Sequence, residues 1–205
     1  MVKDGYFYGL GLFAAAALAW ILTHGSRTAT GVPILLGLFF LWFFRDPNRT
    51  VPVGENLAVS PADGKITDCE WIETTQGSKL RISIFLSVFD VHVNRTPIGG
   101  TVTGVEYRKG SFVNAMKPES VMFNEQTLVV VNDGRVEVAF KLIAGLLARR
   151  IVCNVRPGDR LERGQRIGLI KFGSRVDVLL PGDAQLQVSK GSRVKGGSSV
   201  LAKLV

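Results

Sequence analysis

The sequence predicts a mainly β protein, a sandwich of short strands preceded by an N-terminal pair of apolar helices. Long uncharged apolar runs occur only in the first 44 residues, and β-branched runs between turn residues dominate the rest. In addition, a ten-residue pattern occurs twice in the C-terminal third. At 205 residues the chain is long enough for one ordinary domain with an appendage. We therefore expect a helical hairpin with its connector over 1–50 and a β domain over 51–205.

The N-terminal segment contains two apolar runs, Tyr6 to Leu22 and Val32 to Phe44. A helix that spans a bilayer needs about 20 apolar residues, with a lower limit of about 17. The first run reaches that limit, and the second reaches it with its flanks. A cleaved signal peptide is disfavoured because the second run would remain and no small-residue cleavage site separates the two. A buried core hairpin is the alternative to a membrane hairpin, spanning or re-entrant, which the composition favours.

Charged residues around these runs predict the orientation of the hairpin. Lys3 precedes the first run and Arg45 and Arg49 follow the second, whereas only His24 and Arg27 lie between them. Positive residues favour the cytoplasmic side. We therefore expect both ends of the hairpin, and the β domain, at the cytoplasmic face of the cell membrane.

The chain has a formal net charge of +8 and a pI near 9.8, which indicates an anionic partner. The basic residues are dispersed and no aromatic-basic motif for nucleic acid occurs, so anionic lipid headgroups are the favoured partner and a solubilising charge is the alternative. Cys69 and Cys153 form neither a disulfide framework nor a metal-ligand spacing. This pattern indicates a reducing compartment, and we expect both thiols to be buried as small apolar groups.

A connector rich in Pro, Gly and Asn, RDPNRTVPVGEN, follows the hairpin and marks the domain boundary near residue 50. Five later runs are rich in β-branched residues and end at turn residues, which predicts strands. These runs are 79–87, 99–108, 127–132, 134–143 and 150–155.

The repeat consists of GDRLERGQRI (158–167) and GSRVKGGSSV (191–200). Each copy predicts a turn, a short strand, a glycine turn and a second strand, and two such units facing each other are similar to the barrel-sandwich hybrid of biotinyl and lipoyl domains.

Between the two copies lies IKFGSRVDVLLP (170–181), whose alternating apolar face is interrupted at Gly173-Ser174. That face comprises Ile170, Phe172, Val176, Val178 and Leu180. A carrier domain needs a lysine at this position, and Lys171 stands two residues too early.

Few residues in the β domain are candidates for acid-base chemistry. His92 is its one histidine, and period-2 geometry places Asp90, His92 and Asn94 on one face of an extended segment. A structural histidine is the alternative, and no spacing predicts a metal site. Asp63 in SPADGKI fits an Asx turn, yet Asp63, His92 and Ser174 also form an acid, base and hydroxyl set.

Several motifs together resemble the short-form phosphatidylserine decarboxylase proenzymes, from about residue 43 to the end. They are FFRDPNR (43–49), SPADGKI (60–66), FLSVFDVHVNRTPIGG (85–100), ARRIVC (148–153) and RPGDRLERGQRIGLIKFGSRVDVLLP (156–181). The resemblance implies self-cleavage between Gly173 and Ser174 by an Asp63-His92-Ser174 set. The products would be a β chain, 1–173, and an α chain, 174–205, that begins with a pyruvoyl group made from Ser174.

The resemblance also implies the activity. The pyruvoyl carbonyl would form a Schiff base with phosphatidylserine in the bilayer, and loss of CO2 would yield phosphatidylethanolamine without an external cofactor or metal. His92 would protonate the product carbon. For the headgroup we favour Arg95 over Lys171 and Arg175, and Asp90 would either assist His92 or end its strand. A homodimer stays an open alternative.

The chain departs from the longer family members at two positions. Those members carry two nearby histidines and an LGST cleavage motif, whereas this chain has Asn94-Arg95 after His92 and reads FGSR. Whether His92 serves both cleavage and decarboxylation therefore stays open. The alternative functions are a membrane-anchored, biotinyl-like binding module and an Asp/His/Ser hydrolase. The hydrolase is disfavoured because no G-x-S-x-G surrounds Ser174.

Overall fold

The computed structural model describes residues 2–75, 77–117, 119–146, 150–171 and 173–205. The chain forms two compact units, one up to Asn48 and the other Arg49–Val205. The mainly β class with a helical N-terminus, predicted from the sequence, is confirmed. Phe172 and residues 147–149, which the sequence analysis included in a strand face and in a motif, lie outside the described residues.

The first unit is a pair of helices, α1 (Lys3–Leu22) and α2 (Arg27–Phe43). They approach closely at two glycines, since side chains at Gly9 and Gly37 would overlap Leu41 and Phe13. With 20 residues and about 30 Å of length, α1 is long and apolar enough to cross a bilayer, whereas α2 is shorter. Most apolar side chains of both helices are exposed rather than packed in a core.

The second unit is built from short antiparallel strands with one helical turn. In chain order they are β1 (Leu57–Val59), β2 (Gly64–Thr74), β3 (Gly77–Leu86), β4 (Val93–Arg95), β5 (Gly100–Arg108), α3 (Ser120–Phe123), β6 (Gln126–Asn132), β7 (Glu137–Ala144), β8 (Ile151–Cys153), β9 (Arg160–Leu161), β10 (Arg166–Ile170), β11 (Ser174–Pro181), β12 (Gln185–Leu186), β13 (Arg193–Val194) and β14 (Val200–Lys203). The five strands predicted from β-branched runs correspond to β3, β5, β6, β7 and β8.

These strands form one large and two small sheets. The large sheet has eight strands in the order β13-β2-β3-β11-β7-β6-β5-β9, and the small sheets have the orders β4-β10-β8 and β1-β14-β12. One face of the large sheet is the core, because alternate apolar residues of its central strands point to the same side. On β3, β11 and β7 these fully buried residues are Ile82, Ile84, Leu86, Val176, Val178, Leu180, Phe140, Leu142 and Ala144.

The two copies of the ten-residue repeat adopt the same backbone. Gly158 and Gly191 have φ of 95° and 96°, and Gly164 and Gly197 have φ of 75° and 76°. The first strands of the copies, β9 and β13, form opposite ends of the large sheet, and the second strands, β10 and β14, are each central in a small sheet. The two glycine turns also meet, since a Cβ on Gly197 would lie 3.5 Å from the Gly164 carbonyl oxygen. The repeat therefore places similar turns at the two ends of the large, curled sheet, and β11 lies near the middle of that sheet.

Both cysteines are free thiols that pack partly against the core. The expectation that they are buried is met only in part, because Cys69 and Cys153 are each partly exposed. Burial nevertheless raises the pKa of both thiols.

Candidate active site

Ser174 opens the central strand β11, where it pairs with Leu86 of β3 and with Ala144 of β7. The side chain is fully buried, and its hydroxyl oxygen has no hydrogen-bond partner among the described residues. A buried polar group without a partner costs about 1–3 kcal/mol. The fold thus buries a hydroxyl group that makes no hydrogen bond to the described residues.

Gly173, the residue before this serine, has a left-handed backbone with φ of 25°. Glycine adopts that conformation without steric penalty. The main chain of Gly145 packs so closely on the Gly173 carbonyl oxygen that a Cβ on Gly145 would overlap it. On the side that faces Gly145, the Gly173 carbonyl oxygen therefore contacts main chain rather than a side chain.

A cavity of about 300 Å³ reaches this peptide from the outside. Its wall is mainly apolar, with polar groups from two side chains. Besides Gly173, the wall contains Phe85, Ser87, Val88, Asn114, Ala115 and Leu146. The cavity can admit the apolar part of a ligand to the Gly173-Ser174 bond.

His92 is fully buried, just before β4. Its Nδ1 lies 2.9 Å from the carbonyl oxygen of Asp90. A carbonyl can only accept, so Nδ1 is the donor, and in the neutral ring the lone pair is on Nε2. The imidazole is thus oriented and in the tautomer that a general base requires.

One strand pairing and one main-chain hydrogen bond connect the segments that carry His92 and Ser174. Leu86, which pairs with Ser174, precedes His92 by six residues. On the other side, the amide of Ile170, four residues before Ser174, donates to the His92 carbonyl at 3.3 Å.

Asp90 lies in the turn between β3 and β4. Its carboxylate accepts from the amide of Ser87 at 2.8 Å and from the Ser87 hydroxyl at 2.7 Å. Its other oxygen lies 3.4 Å from Arg193. The main-chain carbonyl of Asp90 contacts the imidazole of His92, and its carboxylate binds Ser87 and lies near Arg193.

Asp63 lies against Arg49 and the second glycine turn of the repeat. One carboxylate oxygen is 2.6 Å from the Arg49 guanidinium, and the other accepts from the amide of Gly196 at 2.8 Å. Burial raises the pKa of Asp63, although the Gly196 amide and the Arg49 charge oppose that rise. Among the described residues Asp63 makes no hydrogen bond to His92. Arg49 lies in the FFRDPNR motif, but nothing in the sequence indicated that it pairs with Asp63.

The three basic candidates for the headgroup differ in their surroundings. Arg95 is buried and donates to the Gly164 carbonyl at 3.0 Å. Arg175 is also buried, and its guanidinium binds Asp177 at 2.6 Å and the Ser83 hydroxyl at 2.8 Å. Both arginines thus make structural contacts in this chain. Lys171 lies between β10 and Gly173 and is partly exposed.

Asn94 is a further buried polar group that sequence reasoning did not assign a role. It lies on β4 opposite Gly168 of β10, it is fully buried, and neither atom of its carboxamide has a hydrogen-bond partner among the described residues. The signal for it was its position two residues after His92, on the same side of an extended segment.

Comparison with known proteins assigns the family. The family model for phosphatidylserine decarboxylase matches residues 36–202. The phosphatidylserine decarboxylase proenzyme of Solibacter usitatus is 50% identical over 205 residues, which cover 99% of this chain and 96% of the relative. The proenzyme of Symbiobacterium thermophilum is 44% identical, and the match covers 100% of this chain and 95% of the relative. The proenzyme of the Wolbachia of Brugia malayi is 41% identical, and the match covers 98% of this chain and 90% of the relative. Taken with the buried serine after a left-handed glycine, these matches show that the chain belongs to the phosphatidylserine decarboxylase family.

Proposed function

We propose that this protein decarboxylates phosphatidylserine to phosphatidylethanolamine after it has cleaved its own Gly173-Ser174 bond. The observation that carries this proposal is the buried, unbonded hydroxyl of Ser174 directly after Gly173, at an apolar cavity. The names of the relatives support the substrate and the processing.

In the cleavage, the Ser174 hydroxyl oxygen attacks the carbonyl carbon of Gly173, and His92 accepts the hydroxyl proton at Nε2. His92 gives this proton to the Ser174 nitrogen as the C–N bond breaks, so that Gly173 becomes an ester on the serine oxygen. Loss of the Ser174 α-proton expels the Gly173 carboxylate and leaves dehydroalanine. Water hydrolyses this group to a pyruvoyl group and ammonia. Every atom comes from the chain and one water molecule.

The residues around Ser174 fit a pyruvoyl group. Such a group needs a buried N-terminus that keeps its place after the chain is cut, and Ser174 is paired on both sides with strands of the other product chain. It also needs a route for an amine, which the cavity at Gly173 supplies. When in place, the group provides a covalent electron sink for the loss of CO2 from an amino-acid headgroup.

We also propose that the two helices anchor the protein in the cytoplasmic membrane, with the β unit on the cytoplasmic side. The length of α1, its exposed apolar side chains and the positions of Lys3 and Arg45 support this proposal. An anchored enzyme meets a substrate whose acyl chains stay in the bilayer.

Intact-mass analysis of the purified full chain tests the cleavage. The wild type should give two chains that separate after residue 173, and the 174–205 chain should be lighter by one ammonia than its hydrolysed form with an N-terminal serine. Ser174→Ala should stay a single chain. A wild type that stays intact while it releases CO2 from phosphatidylserine would contradict the proposal. An intact chain whose Ser174 reacts with a fluorophosphonate would instead indicate a hydrolase.

A further inference from the structure

Five large apolar side chains are exposed to solvent on segments that line the cavity at Gly173 or are hydrogen-bonded to its wall. We name them the mouth rim: Phe89, Met116, Met122, Phe123 and Leu146. Each is between 58% and 70% exposed. Exposed apolar patches of this kind mark surfaces that bind a protein, a membrane or a ligand.

The fold connects the mouth rim to the cavity wall. Phe89 and Met116 directly follow the wall residues Val88 and Ala115, and Leu146 belongs to the wall. The turn α3 carries the other two rim residues and is tied to the wall, because the Ser120 hydroxyl donates to the Ala115 carbonyl at 3.3 Å. The rim is thus continuous with the opening.

One hydrogen bond of Asn124 reaches the sheet, and another reaches the loop that precedes α3. The Asn124 carboxamide donates to the Ala144 carbonyl at 2.7 Å and accepts from the Val113 amide at 2.9 Å. These bonds fix Asn124, which directly follows the rim residue Phe123.

Basic residues accompany the apolar ones. Arg108 donates to the Val121 carbonyl of α3 at 3.2 Å. Over 87–90, 108–125, 146, 150 and 171 the chain has five basic residues, Arg108, Lys109, Lys117, Arg150 and Lys171, against three acidic ones, Asp90, Glu119 and Glu125. Apolar groups mixed with an excess of positive charge match a bilayer with anionic headgroups. A second copy of the chain fits less well, since a two-fold contact would place like charges against each other.

We infer that the mouth rim docks on the surface of an anionic bilayer, so that the cavity opens directly onto the lipid headgroups. This inference rests on the proposed function for its purpose, because a docked mouth brings a lipid headgroup to the Gly173-Ser174 position while the acyl chains stay in the membrane. The docking itself is a property of the surface and is measurable without turnover.

A kinetic comparison tests the inference on the full chain in nanodiscs. The triple variant Phe89→Ser/Met122→Ser/Phe123→Ser removes rim residues that do not line the cavity. We expect its kcat/KM for phosphatidylserine in the bilayer to fall at least about tenfold, a change of about 1.4 kcal/mol in transition-state stabilisation. Its kcat/KM for monomeric dihexanoyl phosphatidylserine and its self-cleavage should stay unchanged. The matched control Val53→Ser/Val205→Ser replaces exposed apolar residues outside the rim and should behave as the wild type on both substrates.

A nitroxide label provides a readout that does not need activity. On Met122→Cys in nanodiscs that contain phosphatidylglycerol, the label should be more accessible to oxygen and less accessible to a water-soluble nickel complex than on Val53→Cys, after subtraction of the signal from the two native cysteines. Equal accessibility at the two positions would overturn the docking, as would spin-spin broadening from a second copy. An equal loss of kcat/KM on both substrates, or no loss on the bilayer, would also overturn it. Absence of turnover with a membrane-protected Met122 label would reject the proposed function and leave the docking standing.

Discussion

The main chain of Gly145 lies directly against the carbonyl oxygen of Gly173, with no room for a side chain between them. The next residue pair in the ladder is Ala144 with Ser174. Strand β7 therefore ends beside the Gly173-Ser174 peptide bond, and Gly145, which follows it, contacts the carbonyl from one side.

Gly145→Ala should slow self-cleavage. The added methyl group would push the Gly173 carbonyl away from its position in the chain. We expect the rate of cleavage to fall at least about tenfold, which corresponds to about 1.4 kcal/mol in the barrier. The measurement is the fraction of cut chain against time after synthesis, read by denaturing electrophoresis and intact mass.

Gly182→Ala is the matched control for this variant. A Cβ there would lie 2.6 Å from the Ser78 carbonyl oxygen, just after the far end of β11. It should lower the melting temperature but leave the cleavage rate of the folded fraction near that of the wild type. Equal cleavage rates for the Gly145 and Gly182 variants would show that the contact with Gly173 has no role in cleavage.

His92→Ala should lower the cleavage rate by about 10²–10⁴-fold, the usual contribution of a general base. The orientation of the ring by the Asp90 carbonyl supports this expectation. Added imidazole should restore part of the rate, because it can enter the space left by the side chain. His24→Ala, in the link between α1 and α2, is the control and should cleave normally. Normal cleavage by the His92 variant would assign the proton transfer to another group.

Asn94→Leu should not destabilise the uncut protein. Measured on Ser174→Ala, it removes a buried carboxamide that has no partner among the described residues, so the melting temperature should stay level or rise. By contrast, Asn124→Leu removes three hydrogen bonds, to the amide and carbonyl of Val113 and to the Ala144 carbonyl. It should lower the melting temperature by about 2–4 °C per kcal/mol lost. Similar losses for both variants would mean that Asn94 holds a structural water.

Much of the fold was predictable because its signals are local. Strands β3, β6 and β7 carry alternating apolar and β-branched residues, so the period identifies them. The ten-residue repeat predicted two similar turns, and the matching φ values at Gly164 and Gly197 confirm that prediction. Strand β2 was not predicted, because GKITDCEWIET contains four charged residues and only its pairing with β3 explains its extended form.

Residues of the candidate site could be predicted only where a single stretch of sequence contains the signal. Gly173-Ser174 interrupts a strand pattern, and His92 is the one histidine of the β unit, so both could be identified from the sequence. The contacts of Arg49 with Asp63 and of Gly145 with Gly173 could not be predicted from the sequence. Each residue contacts the site from a distant segment, and neither the ion pair with Asp63 nor the contact with Gly173 leaves a local pattern.

The buried carboxylate of Asp63 predicts a specific dependence of stability on pH. Burial raises the pKa of Asp63 above its ordinary 3.8, against the effects of the Gly196 amide and Arg49. The folded state therefore binds this proton more tightly than the unfolded state. The stability that Asp63 contributes is full below pH 3.8 and is lost as the pH rises through the folded-state pKa.

Asp63→Asn should remove this dependence, because the amide does not ionise. On Ser174→Ala, the melting temperature of the variant minus that of its parent should increase from below pH 3.8 to neutral pH. Asp133→Asn provides a control of opposite sign. Burial acts to raise the pKa of Asp133, but hydrogen bonds from the amides of Val136 and Arg135 and the Arg135 charge outweigh it and lower the pKa. The Asp133 difference should therefore become more negative as the pH rises. Two curves of the same slope would show that Asp63 is not held in a desolvated position.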